Sequence, residues 1–253
     1  ALRIATWDGS GWAALGTGAN NSVRALTSYN GKIIAGGYFT SIGGVGVNYI
    51  AQYTPAGYDA VNHVWTGSWA GVGTTGMGPT GSSVHALTTY DYNGTNYLVA
   101  GGYFTTANGI TVNNIAQWNG SAWSAMSTGM NNGVRAFAVY NNNLIAGGVF
   151  TTSGGVTTNR IAQWNGTAWS ALGTGMNSNV YGLTIYNNKL TAVGPFTTAG
   201  GSTATRVAQW NGSTWSTLGT GFDWESYSLN SFNGNLVVAG YFRTADGNTV
   251  NRI

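Results

Sequence analysis

Hydrophobic and polar residues alternate in short runs along most of the chain, and no window keeps a helical period. In one stretch the alternation predicts strands over residues 134–140, 143–150 and 159–164. A fourth strand, 168–175, follows Asn165-Gly166. Asn-Gly between β-prone runs is a strong hairpin signal, because both residues tolerate positive φ. The pattern therefore predicts a unit of four antiparallel strands.

This unit recurs along the chain at a nearly constant interval. The first tryptophan of its motif, or the tyrosine in its place, falls at Trp7, Tyr53, Trp118, Trp164 and Trp210. The intervals are 46, 65, 46 and 46 residues, and such a period signals a solenoid, a propeller or an array. The second unit is longer because it carries three insertions in predicted turns or loops. Four strands per repeat favour the blade of a β-propeller.

We therefore expect an all-β chain whose single domain, residues 1–253, is a β-propeller of four-stranded antiparallel blades. The five repeats are residues 3–48, 49–113, 114–159, 160–205 and 206–251. The chain starts with the third strand of a unit, so the N-terminal hairpin could complete the blade begun by residues 227–242. That arrangement predicts a closed ring of five blades. Residues 251–253 match the opening of another unit, which leaves a part of a six- to eight-bladed ring as the alternative.

The repeats resemble known families. A glycine doublet, then N-x-I-A-x-W, a second tryptophan and the next hydrophobic strand resembles the kelch repeat. Units such as GKIIAGGYFTSIGGVGVNYIAQY (31–53) are similar to the delta-sixty type of bacterial secreted repeats. The resemblance implies a propeller and leaves the function open, since such blades serve enzymes, binders and scaffolds. A kelch-like copper oxidase needs a Cys–Tyr crosslink, and this chain has no Cys.

Composition narrows the function further. Only 6% of the 253 residues are charged, and the nine basic residues are scattered, so a nucleic-acid surface is not expected. No apolar stretch approaches the roughly 20 residues that span a membrane, so no membrane insertion is expected. Lack of Cys excludes disulfides and thiolate metal sites. The abundance of Asn, Thr, Ser and Gly with so little charge favours an extracellular or cell-surface location.

The paired tryptophans are expected to be structural. Their spacing of five places Trp164 and Trp169 on the same face of a hairpin, because side chains alternate along strands. A tryptophan buries about 150–250 Å², and both faces of a blade pack against neighbouring blades. A seam between blades is therefore favoured over a row of sugar-binding rings. The glycine doublets are interpreted as positions where a neighbouring blade comes close.

Positions that differ between repeats are better candidates for a ligand site. The start of the first strand is Arg24, His85, Arg135, Tyr181 or Tyr227, depending on the repeat. The loop before that strand also varies and carries Trp224 in the last repeat. We expect the ligand-binding residues to be His85, Arg135, Tyr181, Asp223, Trp224, Glu225 and Tyr227. Trp224 lies outside the paired pattern and is the ring chosen for stacking on a sugar. A solvated rim without a ligand is the alternative.

Catalytic groups are scarce. Glycoside hydrolysis usually needs two facing carboxylates, and only Asp223 and Glu225 are close in sequence. His63 and His85 are isolated, and no catalytic residues, cofactor or metal site are expected. We expect a non-catalytic extracellular interaction or adhesion module, with a protein or glycan partner at the propeller rim. The alternative is a structural part of a filament, sheath or tail-like assembly, and a polysaccharide-active enzyme comes third.

Overall fold

The computed structural model describes residues 3–59 and 64–250, and within these ranges the chain is all β, with no helix. Two compact units divide it, Ala1–Ala125 and Met126–Ile253, referred to below as the first and second units. No helix in the described ranges is long and apolar enough to cross a membrane. The predictions for His63 and for residues 251–253 concern residues outside the described ranges.

The first unit contains two four-stranded antiparallel sheets, ordered β3-β4-β7-β8 and β10-β11-β14-β15. Its strands are β1 (Ala5–Trp7), β2 (Trp12–Ala14), β3 (Val23–Tyr29), β4 (Lys32–Gly37), β5 (Ser41–Ile42), β6 (Val45–Gly46), β7 (Ile50–Asp59), β8 (Val64–Gly71), β9 (Met77–Gly78), β10 (Ser83–Tyr92), β11 (Thr95–Tyr103), β12 (Thr106–Ala107), β13 (Ile110–Thr111), β14 (Ile115–Trp118) and β15 (Trp123–Ala125). Each four-stranded sheet follows chain order, as a propeller blade does.

The second unit repeats this plan with the sheets β16-β17-β20-β21 and β22-β23-β26-β27. Its strands are β16 (Val134–Tyr140), β17 (Asn143–Gly148), β18 (Thr152–Ser153), β19 (Val156–Thr157), β20 (Ile161–Trp164), β21 (Trp169–Ala171), β22 (Gly182–Tyr186), β23 (Lys189–Val193), β24 (Thr198–Ala199), β25 (Ser202–Thr203), β26 (Val207–Trp210), β27 (Trp215–Thr217), β28 (Ser226–Phe232), β29 (Asn235–Gly240), β30 (Thr244–Ala245) and β31 (Asn248–Thr249). The segment expected to be a loop between second and third strands forms a small hairpin, such as β18–β19.

The turn between third and fourth strands is held by an asparagine side chain. Asn165 Oδ1 accepts the backbone N–H groups of Thr167 and Ala168, at 2.9 and 2.8 Å. Gly166 takes the positive φ of the turn, 99°, and the asparagine acts through its side chain. Asp8 does the same in the first unit, accepting the N–H groups of Ser10 and Gly11. A short side chain with an acceptor oxygen is therefore what this turn requires.

Two of the insertions in the long repeat lengthen hairpins and do not make loops. β7 and β8 have 10 and 8 residues, and Tyr58 pairs with Trp65 beyond the usual pair Tyr53 and Trp69. β10 and β11 have 10 and 9 residues, against 7 and 6 in β16 and β17. β10–β11 is extended by whole residue pairs, whereas β7–β8 takes up an extra residue in a bulge between Pro55 and Gly57, and both hairpins keep their inner register.

The tryptophan pairs form seams, as predicted. Trp164 and Trp169 are directly opposite across the hairpin, and each is only 4% exposed. The indole Nε1–H of Trp169 donates to the carbonyl oxygen of Met126, 43 residues earlier. Trp69, Trp123 and Trp215 make the same bond to Leu15, Val72 and Leu172, and the four distances are 2.9–3.1 Å. Each bond satisfies the one polar atom of a buried indole.

The glycine doublets have two separate roles. A Cβ on Gly36 would lie 2.4 Å from Val84 of the next sheet, which confirms the predicted close approach. The second glycine faces its own blade, because a Cβ on Gly37 would lie 2.1 Å from the carbonyl oxygen of Ser22. The prediction therefore holds for the first glycine of the doublet and is wrong for the second.

The chain ends differ from the prediction of one shared blade. β1–β2 forms a two-stranded sheet, and β28–β29 forms another two-stranded sheet. The single four-stranded blade expected from these two hairpins is therefore not among the described sheets. Trp7 and Trp12 are 53% and 75% exposed, whereas the aromatic pairs of the complete blades are buried except for the partly buried Trp118. A pair of strands has no second sheet face to cover it, which explains why these rings remain in solvent.

Candidate binding surface of the second unit

In four of the five repeats the variable residue at the start of the first strand occupies a β-bulge, whereas Tyr181 directly precedes β22. The strand register shifts between Val84 and Ala86, which leaves His85 as the extra residue. The same shift places Arg24, Arg135 and Tyr227 at bulges in β3, β16 and β28. A bulge re-aims a side chain without disturbing the rest of the ladder. The repeat therefore presents one changeable side chain per blade at a fixed point of the backbone.

In the second unit these positions build an aromatic cluster. The ring of Tyr181 stacks on that of Tyr227, with centroids 5.3 Å apart and planes 4° from parallel. The ring of Tyr241 meets Tyr227 edge-on at 5.3 Å. Tyr227 and Tyr241 are 40% and 58% exposed, so their contacts leave free ring surface. Aromatic rings with exposed faces and polar hydroxyl tips suit ligands that are partly apolar and partly polar.

Trp224 adds a second aromatic element beside this cluster. It is 57% exposed and lines a shallow pocket of about 280 Å³ together with Asp223, Tyr241 and Arg243. The pocket thus combines two exposed rings with a guanidinium group. A few polar groups among aromatic walls are typical of small-molecule sites. We call the set Tyr181, Trp224, Glu225, Tyr227, Tyr241 and Arg243 the aromatic rim.

Asp223 serves the fold. Its Oδ1 accepts the backbone N–H groups of Arg243 and Thr244, at 2.7 and 2.8 Å. Asn131 makes the same pair of bonds to Thr151 and Thr152 in the third repeat. The backbone N–H groups of Thr244 and Arg243 hold the pKa of the Asp223 carboxyl below its usual range. Asp223 thus replaces a structural asparagine, and the hydrogen bonds from the loop favour its ionised form.

The exchange of Asn for Asp is accompanied by a second exchange. In the third repeat Asn131 Nδ2 donates to the hydroxyl of Thr151 at 2.8 Å. In the last repeat an arginine, Arg243, stands where that threonine stands. A carboxylate cannot donate the bond that the amide of Asn131 gives, and the arginine brings a cation to the aromatic rim. This repeat therefore differs from the others in charge while keeping the same loop.

Glu225 is tied to the aromatic cluster. The hydroxyl of Tyr227 donates to Glu225 Oε2. This bond is the main reason why the pKa of Tyr227 rises to about 12. Glu225 and Tyr227 are two residues apart, and the bond fixes the tyrosine ring against Tyr181. The carboxylate therefore orients a ring while its second oxygen can accept ligand hydroxyl groups.

His85 belongs to the first unit, where it sits between two tyrosines. Its ring centroid is 5.3 Å from that of Tyr38 and 5.4 Å from that of Tyr103, both edge-on. The guanidinium of Arg24 lies over Tyr38, 5.3 Å from the ring centroid. The imidazole also contacts the hydroxyl of Ser83 at 3.0 Å. His85 thus belongs to a row of rings in the first unit that it forms with Tyr38 and Tyr103.

Arg135 is half-buried at the bulge of β16. Of the seven predicted site residues, the structure connects Tyr181, Trp224, Glu225 and Tyr227 through the rim. It assigns Asp223 a structural role next to them. Four residues of these surfaces were missed: the aromatic residues Tyr38, Tyr103 and Tyr241, and the cationic residue Arg243. Each of the three tyrosines directly follows the last glycine at the doublet position of its repeat. Other repeats have Val149 and Pro195 at this position, so a comparison of the repeats could have found the three tyrosines.

The acids offer little for acid–base chemistry. Asp8, Asp223 and Asp246 each accept backbone N–H groups at places where other repeats use asparagine or glycine. Hydrogen bonds from backbone N–H groups and, for Asp8, from the Tyr58 hydroxyl lower the pKa of all three carboxyls. Among residues 3–59 and 64–250 no three His, Asp or Glu side chains come together in a metal-binding group.

Comparison with known proteins supports the fold. Residues 30–57 match a family described as a domain of unknown function (DUF5122) with a β-propeller fold. This match supports repeats of the β-propeller type. The crystal structure of the computationally designed Ika8 protein is similar over 92% of this chain and 73% of its own, at 14% identity and a TM-score of 0.50. That of the designed Ika4 protein covers 77% of this chain and 94% of its own, at 16% identity and a TM-score of 0.41. No curated protein matches the chain.

Proposed function

We propose that the protein is a non-catalytic binding module of a secreted or surface protein, and that the aromatic rim of the second unit binds a carbohydrate. The observation that carries this proposal is the exposed pair Trp224 and Tyr241 on a pocket that also contains Arg243. The apolar face of a sugar ring packs on an indole or phenol ring. Its hydroxyl groups accept hydrogen bonds from a guanidinium and donate to a carboxylate.

Exposure separates these rings from the structural aromatics of the same unit. Trp164, Trp169, Trp210 and Trp215 are 4–8% exposed and are committed to seams, whereas Trp224 is 57% exposed. The indole of Trp224 therefore keeps a face that a ligand can cover. Its rigid side chain also loses little conformational freedom when a ligand binds.

The ring order in the cluster suits an extended ligand. Tyr227 is fixed by two ring contacts and by the bond to Glu225, so it needs little reorganisation on binding. Trp224 and Tyr241 offer the more exposed faces. Preorganised polar and aromatic groups raise affinity because less entropy is lost. We therefore expect an oligosaccharide of low charge to bind better than a monosaccharide.

A glycan array followed by calorimetry tests the proposal. Wild type, Trp224→Ala and Tyr241→Ala are compared with Trp65→Ala, which removes a 40% exposed tryptophan in the first unit. We expect binding by wild type and Trp65→Ala, with affinity about tenfold or more lower for the two rim variants. Absence of binding by wild type, or equal binding by all four proteins, contradicts the carbohydrate proposal.

The finer assignment of the fold is also a proposal. We infer that the repeats belong with kelch-like or delta-sixty-type propellers and that the chain carries the strands of five blades. Four complete four-stranded sheets, together with the two-stranded sheets β1–β2 and β28–β29, contain the number of strands that five blades require. The match of residues 30–57 to a β-propeller family supports the general type of repeat.

The low charge of the chain and the side chains that hold its turns are consistent with an interaction module outside the cell. The chain carries 6% charged residues, and its turns are held by asparagine and by aspartates in asparagine positions. Since these acids are occupied by the backbone, a carboxylate pair for glycoside hydrolysis has few candidates. The absence of enzymatic activity and the extracellular location stay predictions.

A further inference from the structure

The first unit carries an exposed cation at one end of its strands. This cation is Arg24, the bulge residue of β3, and its guanidinium lies over the ring of Tyr38, 5.3 Å from the ring centroid. Within residues 3–59 and 64–250 the guanidinium makes no hydrogen bond and no ion pair. The ring therefore holds the guanidinium in place, while its N–H donors remain available to a ligand.

The carboxylates of the first unit lie at the opposite ends of its strands. Its three acids are Asp8, Asp59 and Asp91. Asp91 lies about 20 Å from His85 along β10. Asp59 ends the 10-residue strand β7, which starts beside the end of β4, and the hydroxyl of Tyr58 next to it donates to Asp8. Charges this far apart are screened, because the Debye length is about 8 Å at physiological ionic strength.

The first unit is therefore polarised along its strands. One end carries Arg24 without a neutralising carboxylate, and the other end carries all three acids. The aromatic rim of the second unit differs, because Glu225 is part of it together with Arg243. An exposed, positioned cation without an acid nearby is complementary to an anionic partner.

The rings beside Arg24 favour a carboxylate over the face of a sugar. Tyr38 and Tyr103 are half-buried, and His85 meets both of them edge-on, at 5.3 and 5.4 Å. No ring of this row is as open as Tyr241 in the second unit, which is 58% exposed. The hydroxyl of Tyr38 makes no hydrogen bond within the described ranges. The row thus offers N–H and O–H donors, which a carboxylate accepts, and little free ring face.

We propose that Arg24 and Tyr38 bind a carboxylate of an acidic peptide segment. The fork of a guanidinium matches the two oxygen atoms of a carboxylate, so the contact is bidentate, and the phenol adds a third donor. A peptide is the partner because its acidic side chains need donors alone, whereas a sugar also needs an open aromatic face. This site lies in the first unit and does not depend on carbohydrate binding by the aromatic rim.

Fluorescence anisotropy with a labelled peptide tests the site. The probe is an octapeptide that alternates glutamate and serine, and the control peptide alternates glutamine and serine. Wild type is compared with Arg24→Ala, Arg24→Lys and Tyr38→Phe. Lys32→Ala is the matched control, because it removes one positive charge from the other end of the same hairpin, where Lys32 donates to Gln52. Circular dichroism shows whether each variant keeps the fold.

We expect wild type to bind the glutamate peptide at least about tenfold more tightly than the glutamine peptide. Arg24→Ala should weaken binding about tenfold or more, since hydrogen bonds to a charged group are lost. Arg24→Lys should fall between the two, because an ammonium keeps the charge without the fork. Lys32→Ala should bind like wild type. A rise in NaCl from about 50 to about 500 mM should weaken binding by wild type.

Three results overturn the proposal. The first is the absence of binding of the glutamate peptide by wild type. The second is an equal loss of affinity in Arg24→Ala and Lys32→Ala, which would mean that only the net charge matters. The third concerns an oligomer of galacturonic acid, which carries carboxylates on sugar rings. If it binds to wild type more tightly than the peptide and loses affinity in Arg24→Ala, the site takes an acidic glycan and not a peptide.

Discussion

The indole Nε1 of Trp169 lies 3.0 Å from the carbonyl oxygen of Met126 and donates its proton to it in a buried seam of the second unit. The same bond recurs at Trp69, Trp123 and Trp215. Its repetition shows that the tryptophan pair joins a blade to the segment before it. The spacing of the motif already favours a seam, and this bond identifies the atoms that form it.

Trp169→Phe should destabilise the second unit while leaving its fold intact. The phenyl ring fills much of the same space, but it leaves the buried carbonyl of Met126 without its donor. The free energy of unfolding should fall by about 1–3 kcal/mol, as measured by urea denaturation followed by circular dichroism. Trp65→Phe is the control, because that ring is 40% exposed. An equal effect of the two substitutions would argue against the seam bond.

Gly36→Ala should strain the packing between two sheets of the first unit. The added methyl group would lie 2.4 Å from Val84 Cγ1, closer than carbon atoms approach. Overpacking of this kind costs about 1–3 kcal/mol of stability. Gly46→Ala is the matched control, since its Cβ meets nothing within 4 Å. Thermal unfolding of both variants decides, and a Tm loss of the same size in Gly46→Ala would contradict the packing argument.

Asp223 makes the stability of its loop depend on pH. The folded pKa is lowered by the backbone N–H groups of Thr244 and Arg243, so its stabilisation is fully present above the unfolded pKa of roughly 3.9. The contribution is lost as pH falls through the lower folded pKa. Asp223→Asn should therefore flatten the loss of stability at pH values below about 4. Amide exchange of Arg243 and Thr244 measures this, and an unchanged pH profile would contradict it.

Glu225→Gln should lower the pKa of Tyr227. The bond to the carboxylate raises this pKa to about 12, because removal of the phenol proton would leave two anions side by side. The neutral amide removes that repulsion, so ionisation moves toward the usual value of about 10. Ionisation of the phenol is followed by difference spectra near 295 nm, a usual wavelength for phenolate. Comparison with Tyr227→Phe separates the signal of this ring from those of the other tyrosines among the 14 in the chain. No shift in Glu225→Gln would show that the carboxylate does not control the phenol.

Much of the fold follows from local rules. The strand 134–140 was predicted with its observed bounds, and the pairing of Trp164 with Trp169 follows from strand parity. The exposure of Trp7 and Trp12 could not be predicted, because the motif is the same and only the neighbouring strands differ. Burial depends on what packs against a hairpin, and that is tertiary information.

The site was predictable only in part. Trp224 and Tyr227 stood out because their repeats disagree at those positions. The hydrogen bonds of Asp223 to the backbone of Arg243 and Thr244 could not be foreseen, since these partners lie 20 and 21 residues away and show no local signal. Tyr241 was missed because comparison was limited to the first strand and its loop. Applied to every repeat position, the same comparison would have included it.

The seam bonds all run in one direction along the chain. In each of them the carbonyl acceptor precedes its indole donor, by 43 residues for Trp169 and for Trp215. During synthesis from the N-terminus, each acceptor has therefore left the ribosome before its donor arrives. A newly synthesised hairpin can therefore form its indole bond to the preceding repeat as it emerges. The order of translation is thus also an order of assembly, in which no blade has to wait for a later one.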